Sequence, residues 1–248
     1  MVLSNVGYSA LIWTILFLCT AWGVQWTGRI TYITMGLPFI MLLAFLIRGV
    51  MLPGASDGIK QYIGIWDMSV LSEQGEVWSV ACSQIFFSIG LTFGILTAYG
   101  SHCPRNEPAV TNSFVVSLAN SMFSIIAGFA VFAALGHLAY QEGKEVTDLD
   151  IGGFALVFGT WPVVLSTLPG GIHWIRLLFA MLFFLGVDSA FAFLEAVVTV
   201  LHDTVFFHNV RRPILLIPPI VSLFLFSLIY CTDAGLNWLD VIDFYINL

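Results

Sequence analysis

Apolar runs long enough to cross a bilayer recur along the chain, and they constrain its fold more than any other feature. They cover residues 7–24, 31–50, 79–100, 112–140, 173–202 and 213–231, and a further run begins at Leu239 and reaches Leu248. A spanning helix needs about 20 mostly apolar residues, whereas a barrel strand needs roughly ten in alternation. These runs are too long and too continuous for strands. The sequence therefore predicts an all-α, multi-pass membrane protein. Hydrophobic residues fill 59% of the 248 positions and charged residues only 9%, against about 25% charged in an ordinary soluble domain. With eight Lys and Arg and no basic patch, no nucleic-acid partner is expected. Met1 to Asn5 lacks the basic start of a cleavable signal. The final run would rise only about 15 Å as a helix, half a hydrocarbon core. Residues 1–248 are thus expected to form a single, incomplete membrane domain, a piece of a longer protein.

The connections differ in character. QWTGRI, SHCPRNEPAV and HDTVFFHNVRRP are short and carry Arg29, Arg105, Arg211 and Arg212. Segments 51–78 and 141–172 are longer and acidic, with Asp57, Asp67, Glu73 and Glu76 in the first and Glu142, Glu145, Asp148 and Asp150 in the second. Basic density places the short loops on the cytoplasmic side. The apolar stretch DIGGFALVFGTWPVVLSTLPGG is either a span or a helical hairpin over the outer face. Pro162 at its centre favours the hairpin. Cys19, Cys82, Cys103 and Cys231 fit no metal spacing and read as buried free thiols. His102, His202, His208 and His173 read as solvated, and His137 as a hydrogen-bonded packing residue.

The run 79–100 contains FFSIGLTFG, with Ser88, Gly90, Thr92 and Gly94 at mid-depth. Glycine is about 1 kcal/mol worse than alanine in a helix, and lipid offers no water to a freed backbone group. Either this is a kinked helix packed closely through its glycines, or the helix breaks at Ser88–Thr92 to line a cavity. Asp188, in FLGVDSAFAFLEAVVTV, is a carboxylate deep in an apolar span with no basic residue nearby in that span. Its partner must come from another helix or be a cation, unless backbone donors cap it. Glu195 lies two turns further along the same face. Asn120 and Ser124 share a helical stripe with Ser117, as Gln84 does with Ser88. Such neutral stripes either glue helices together or line a site.

Taken with RGVMLPGA at 48–55, QIFFSIG at 84–90, NSMFSIIAGF at 120–129, GFALVFGTWPVVLSTLPGG at 153–171 and LGVDSAFAFLE at 185–195, the chain resembles the sodium- and chloride-coupled neurotransmitter symporters. This is the family of the monoamine, GABA and glycine transporters and of the bacterial leucine transporter. The resemblance implies an inverted-repeat transporter fold of the bacterial leucine transporter type, only part of which is present. The chain would run from the fourth span into the tenth, lacking the first three and the last part. It implies Na+ and Cl− as bound or co-transported ions, a small-molecule substrate and a plasma-membrane location.

It also assigns residues. Substrate contacts fall to Phe87, Ser88, Gly90, Thr92, Phe93, Ser189 and Phe193, with Phe87 as an aromatic lid. The first sodium falls to Ser88 and Asn120, the second to the Leu185 carbonyl, Asp188 and Ser189, and chloride to Gln84, Ser88 and Ser124. Asp243 becomes the outer-gate carboxylate, although by sequence alone it is an ordinary acid at a helix start. The chain departs from the family at Leu91 and Thr92, where many members have a small residue or proline. It departs again at Phe193, where some have glycine, and at the WPV of the outer cap, where an acid commonly follows the aromatic–proline pair. These changes point to a small pocket and a small neutral amino acid or related zwitterion. An intramembrane aspartyl protease would need a second deep aspartate facing Asp188, so no enzyme is expected. The alternative is a transport-inactive fragment with a packing or regulatory role.

Overall fold

The computed structural model describes residues 2–66, 68–69, 76–149 and 153–246, and every regular element among them is helical. Asp67, Glu73 and Asp150, named above among the loop acids, lie outside the described residues, as does the side chain of Thr92. Helix α1 spans Leu3–Thr20 and α2 spans Val24–Val50. The expected connection QWTGRI is instead the opening of α2, and the chain turns at residues 21–23. A few polar residues do not stop a helix, but a left-handed residue does, and Gly23 sits at φ 97°. Thr27 Oγ1 then donates to the Gly23 carbonyl at 3.1 Å.

Helix α3 (Ala55–Ile59) runs on through a widened π turn at Lys60–Gly64. Helices α4 (Glu76–Ile89) and α5 (Ile95–Ser101) are the halves of the broken run. Helix α6 covers Ala109–Glu142. The cap segment is a short helical turn Gly153–Ala155, a π turn Leu156–Thr160 and helix α7 (Trp161–Ser166). Pro162 therefore does not split the cap into two arms. It sits at the start of α7, where a missing N–H costs little, and the π turn before it makes room for its ring. The hairpin is made instead with α8 (Gly171–His202), through the turn at residues 167–170. Helix α9 covers Arg212–Ser227 and closes in a 3₁₀ turn at Leu228–Cys231, and α10 covers Gly235–Ile246. Since α10 starts at Gly235 rather than Leu239, Asp243 lies two turns inside it and not at its start.

Among the described residues, five helical stretches are long and apolar enough to cross a membrane: Leu3–Thr20, Trp26–Val50, Ala109–Glu142, Gly171–His202 and Arg212–Cys231. None of the four cysteines is in a disulfide, but only Cys231 is buried, while Cys82 and Cys103 are exposed on the chain, which corrects the expectation of buried thiols.

The chain divides into two compact units. One holds Met1–Met35, Thr97–His102 and Leu185–Leu248. Its core is Leu16 of α1, Val187, Phe191, Leu194 and Val198 of α8, and Leu215, Leu216 and Ile220 of α9. The α8 residues recur at spacings of four, three and four, which keeps them on one face of the helix. Asp188 and Glu195 sit at the edge of that stripe, so the helix that builds the core also carries two carboxylates inward. Hydroxyls help hold α1 to α9: Ser9 Oγ lies 3.0 Å from Ser227 Oγ, and Trp13 Nε1 donates to the same oxygen at 3.2 Å.

The other unit holds Gly36–Leu96 and Cys103–Phe184. Here α3 lies on α6 with almost no space between backbones. A Cβ added at Gly58 would stand 1.9 Å from the Phe132 carbonyl oxygen, and one at Gly136 would stand 2.4 Å from that of Gly54. His137 pins this contact. Its Nδ1 donates to the Pro53 carbonyl at 2.8 Å, which leaves Nε2 to accept from Gln141 Nε2 at 3.0 Å. The hydrogen-bonded packing role expected of His137 is thus realised. In the cap, Trp161, Val164, Leu165 and Leu168 are buried, and the ring of Phe45 packs between Trp161 and Trp174.

Candidate ion and substrate sites

The break in the third apolar run is real, but it lies two residues beyond the expected Ser88–Thr92. Ser88 and Ile89 remain helical, and the chain leaves the helix at Gly90 (φ 73°) and re-enters it after Gly94 (φ 74°). Between them Leu91–Phe93 form a single 3₁₀ turn. A side-chain-bearing residue in this left-handed conformation pays about 1–2 kcal/mol, so two glycines place both ends of the break. Gly90 N donates to the Phe87 carbonyl at 3.0 Å, which closes the end of α4. Carbonyls in the last turn of α4 and N–H groups in the first turn of α5 have no helical partners, so opposite partial charges meet at the break. Phe87 in the last turn of α4 meets Phe93 of the 3₁₀ turn, their rings edge to face with centroids 5.7 Å apart.

Asn120 of α6 meets Ser88 of α4 here. Asn120 Nδ2 donates to Ser88 Oγ at 2.9 Å, and Ser88 Oγ lies 3.3 Å from Asn120 Oδ1. The structure thus joins two residues that are 32 positions apart in sequence. Ser124 donates back to the Asn120 carbonyl at 3.0 Å, within its own helix. Gln84 is exposed one turn before Ser88, and its side chain makes no hydrogen bond among the described residues. The cluster offers hydroxyl and amide groups, and none of its members carries a charge.

The second cluster is in the other unit, around Asp188. Ser189 Oγ donates to the Leu185 carbonyl at 3.0 Å, a bond inside α8 that adds to the helical bond which that carbonyl accepts from the Ser189 N–H. Asp188 itself meets Thr34 of α2, whose Oγ1 donates to Asp188 Oδ1 at 2.6 Å. Thr34 was not singled out in the sequence. Its only signal there was a hydroxyl in an apolar span one turn before Pro38, a residue with no N–H to give the Thr34 carbonyl.

Glu195 is the second residue whose weight the sequence did not reveal. It is wholly buried, and its Oε2 is paired with Arg212 Nη2 at the start of α9. Arg212 Nε also donates to the Thr20 carbonyl at the end of α1, at 3.1 Å. One guanidinium therefore joins three helices of this unit, a use of its fixed fork that lysine could not copy. Glu195 Oε1 has no hydrogen-bond partner among the described residues. The sequence signal was an acid late in one span and an arginine opening the next.

The remaining assigned residues are divided between the units. Phe87, Ser88, Gly90, Thr92 and Phe93 belong to one, and Ser189, Phe193 and Asp243 to the other. Phe193 is 46% exposed, and Asp243 is partly buried.

A helical membrane protein with a span broken between glycines, beside uncharged oxygen and amide groups, and with a deep carboxylate elsewhere, has the architecture of a secondary transporter. Comparison with known proteins agrees. The model of the sodium:neurotransmitter symporter family matches residues 4–248. The chain is 38% identical over 237 residues to the sodium- and chloride-dependent neutral and basic amino acid transporter B(0+) of Homo sapiens, covering 95% of this chain and 37% of that protein. It is 35% identical over 243 residues to the sodium- and chloride-dependent GABA transporter 2 of Bos taurus, covering 95% of this chain and 39% of that protein. The chain thus spans well under half the length of these relatives. It belongs to the sodium:neurotransmitter symporter family, whose members are transporters and not enzymes.

Proposed function

We propose that this chain supplies helices for the sodium-coupled, chloride-dependent symport of a small neutral amino acid or related zwitterion across the plasma membrane. Asp188 carries the reading: it is a carboxylate at mid-span whose one side-chain hydrogen-bond partner among the described residues is the neutral hydroxyl of Thr34. A charge so placed calls for a cation, and hard cations such as sodium prefer oxygen ligands. The Leu185 carbonyl, Asp188 and Ser189 would hold one sodium, and Ser88 and Asn120 another. Gln84, Ser88 and Ser124 would hold chloride. Serine suits a shared position, because its O–H can point at an anion while its lone pairs face a cation. Phe87, Ser88, Gly90, Thr92, Phe93, Ser189 and Phe193 are the substrate contacts that the resemblance implies, and Asp243 the outer-gate carboxylate. The two relatives named above support the class of cargo: one is described as carrying neutral and basic amino acids and the other GABA, and both as sodium- and chloride-dependent.

Asp188→Asn removes the charge and keeps the shape. It is expected to raise the sodium concentration for half-maximal uptake at least about tenfold, since a unit charge near a cation in a partly buried site is worth several kcal/mol. Unchanged sodium dependence would remove Asp188 from the site. Chloride dependence is expected because Gln84, Ser88 and Ser124 are neutral beside the cations. Ser124→Glu supplies the missing negative charge and should let uptake proceed in gluconate buffer. Full uptake by the unmodified protein in that buffer would refute the chloride assignment.

A further inference from the structure

The contact between Thr34 and Asp188 crosses from α2 to α8, and its chemistry is restrictive. Thr34 is buried, 5% exposed, and its Oγ1 stands 2.6 Å from Asp188 Oδ1. That distance is in the range of a hydroxyl donating to a charged carboxylate. A carboxylate accepts but cannot donate, so the single hydroxyl proton of Thr34 points at Asp188. A second acceptor is already in reach: the Ile30 carbonyl lies 3.4 Å from the same oxygen. The hydroxyl therefore has two resting places, one on the carboxylate and one on its own helix, separated by a rotation about a single bond.

We infer that Thr34 is a positioning residue that stands in for sodium at Asp188. The inference rests on the sodium-site reading of Asp188 given above. With sodium on Asp188 Oδ1, the Thr34 proton would face a cation, so the hydroxyl turns to the Ile30 carbonyl. When sodium leaves, the hydroxyl swings back and hydrogen-bonds the carboxylate, a partly buried charge in an apolar span. Thr34 thus competes with sodium for one oxygen. By stabilising the sodium-free site it weakens sodium binding and speeds release. A threonine that merely packed α2 against α8 would tolerate valine of the same shape with no change in sodium affinity.

The test is equilibrium binding and dissociation of radiolabelled sodium on the purified protein in detergent, which needs no transport. Thr34→Val keeps the shape and deletes the donor. It should lower the sodium concentration for half saturation by about tenfold, the scale set by a hydrogen bond to a charged group, and slow dissociation to match. Thr34→Ser restores the donor and should restore both values. Thr34→Ala, which introduces no new contact, should repeat the valine result if the valine variant fails to fold. Unchanged or weaker sodium binding in the donor-less variants overturns the inference; weaker binding would make Thr34 a ligand rather than a competitor. Asp188→Asn separates the two claims. If it abolishes binding while Thr34→Val does nothing, the sodium site stands and this inference falls. If it leaves binding intact, the sodium-site reading itself falls.

Discussion

Replacing Arg212 by methionine is expected to destabilise the protein by about 3–5 kcal/mol, the scale found when one member of a buried ion pair is removed. The cost arises at Glu195. Its side chain is fully buried, one oxygen is held by Arg212, and the other has no partner among the described residues. Removing the guanidinium leaves a carboxylate in low dielectric with nothing to compensate it. The Thr20 carbonyl loses its donor as well. Arg212→Lys keeps the charge but not the fork, so a smaller loss is expected. The double variant Glu195→Met/Arg212→Met should regain most of the loss, because two apolar side chains of similar volume carry no desolvation penalty. Thermal unfolding of the purified variants in detergent measures all three. A wild-type midpoint for Arg212→Met would show that Glu195 has another partner.

Gly58→Ala should also be costly, for a steric reason. The new methyl would stand 1.9 Å from the Phe132 carbonyl oxygen and 2.9 Å from the Gly136 nitrogen. Both are backbone atoms of α6 and cannot rotate away, so α3 must lift. Overpacking costs about 1–3 kcal/mol, and the upper end is expected here. Lifting α3 also strains the bond between His137 and the Pro53 carbonyl. Gly49→Ala is the matched control, since its methyl would meet Ala133 Cβ at an ordinary 3.5 Å. Equal unfolding midpoints for the two variants would mean that α3 is free to move off α6.

The elements that were legible in the sequence were those set by hydropathy and by local backbone chemistry. Long apolar runs gave helices because lipid cannot satisfy free peptide groups. The glycines of FFSIGLTFG marked a broken span, although the break follows Gly90 and Gly94 rather than beginning at Ser88, because only those positions take a left-handed backbone cheaply. Asp188 stood out as a lone charge in an apolar context. The turn at Gly23 and the continuity of the cap through Pro162 were misread, since polarity and proline are weaker guides to helix ends than where the backbone can reverse or widen. What only the tertiary structure decided were the pairings. Ser88 finds Asn120, Thr34 finds Asp188, and Arg212 joins Glu195 to Thr20, over sequence separations of 32, 154, 17 and 192 residues. Hydropathy reports how each residue meets its solvent, one position at a time. Which hydroxyl faces which carboxylate depends on how the helices are packed and rotated, and the chain's periodicity does not encode that.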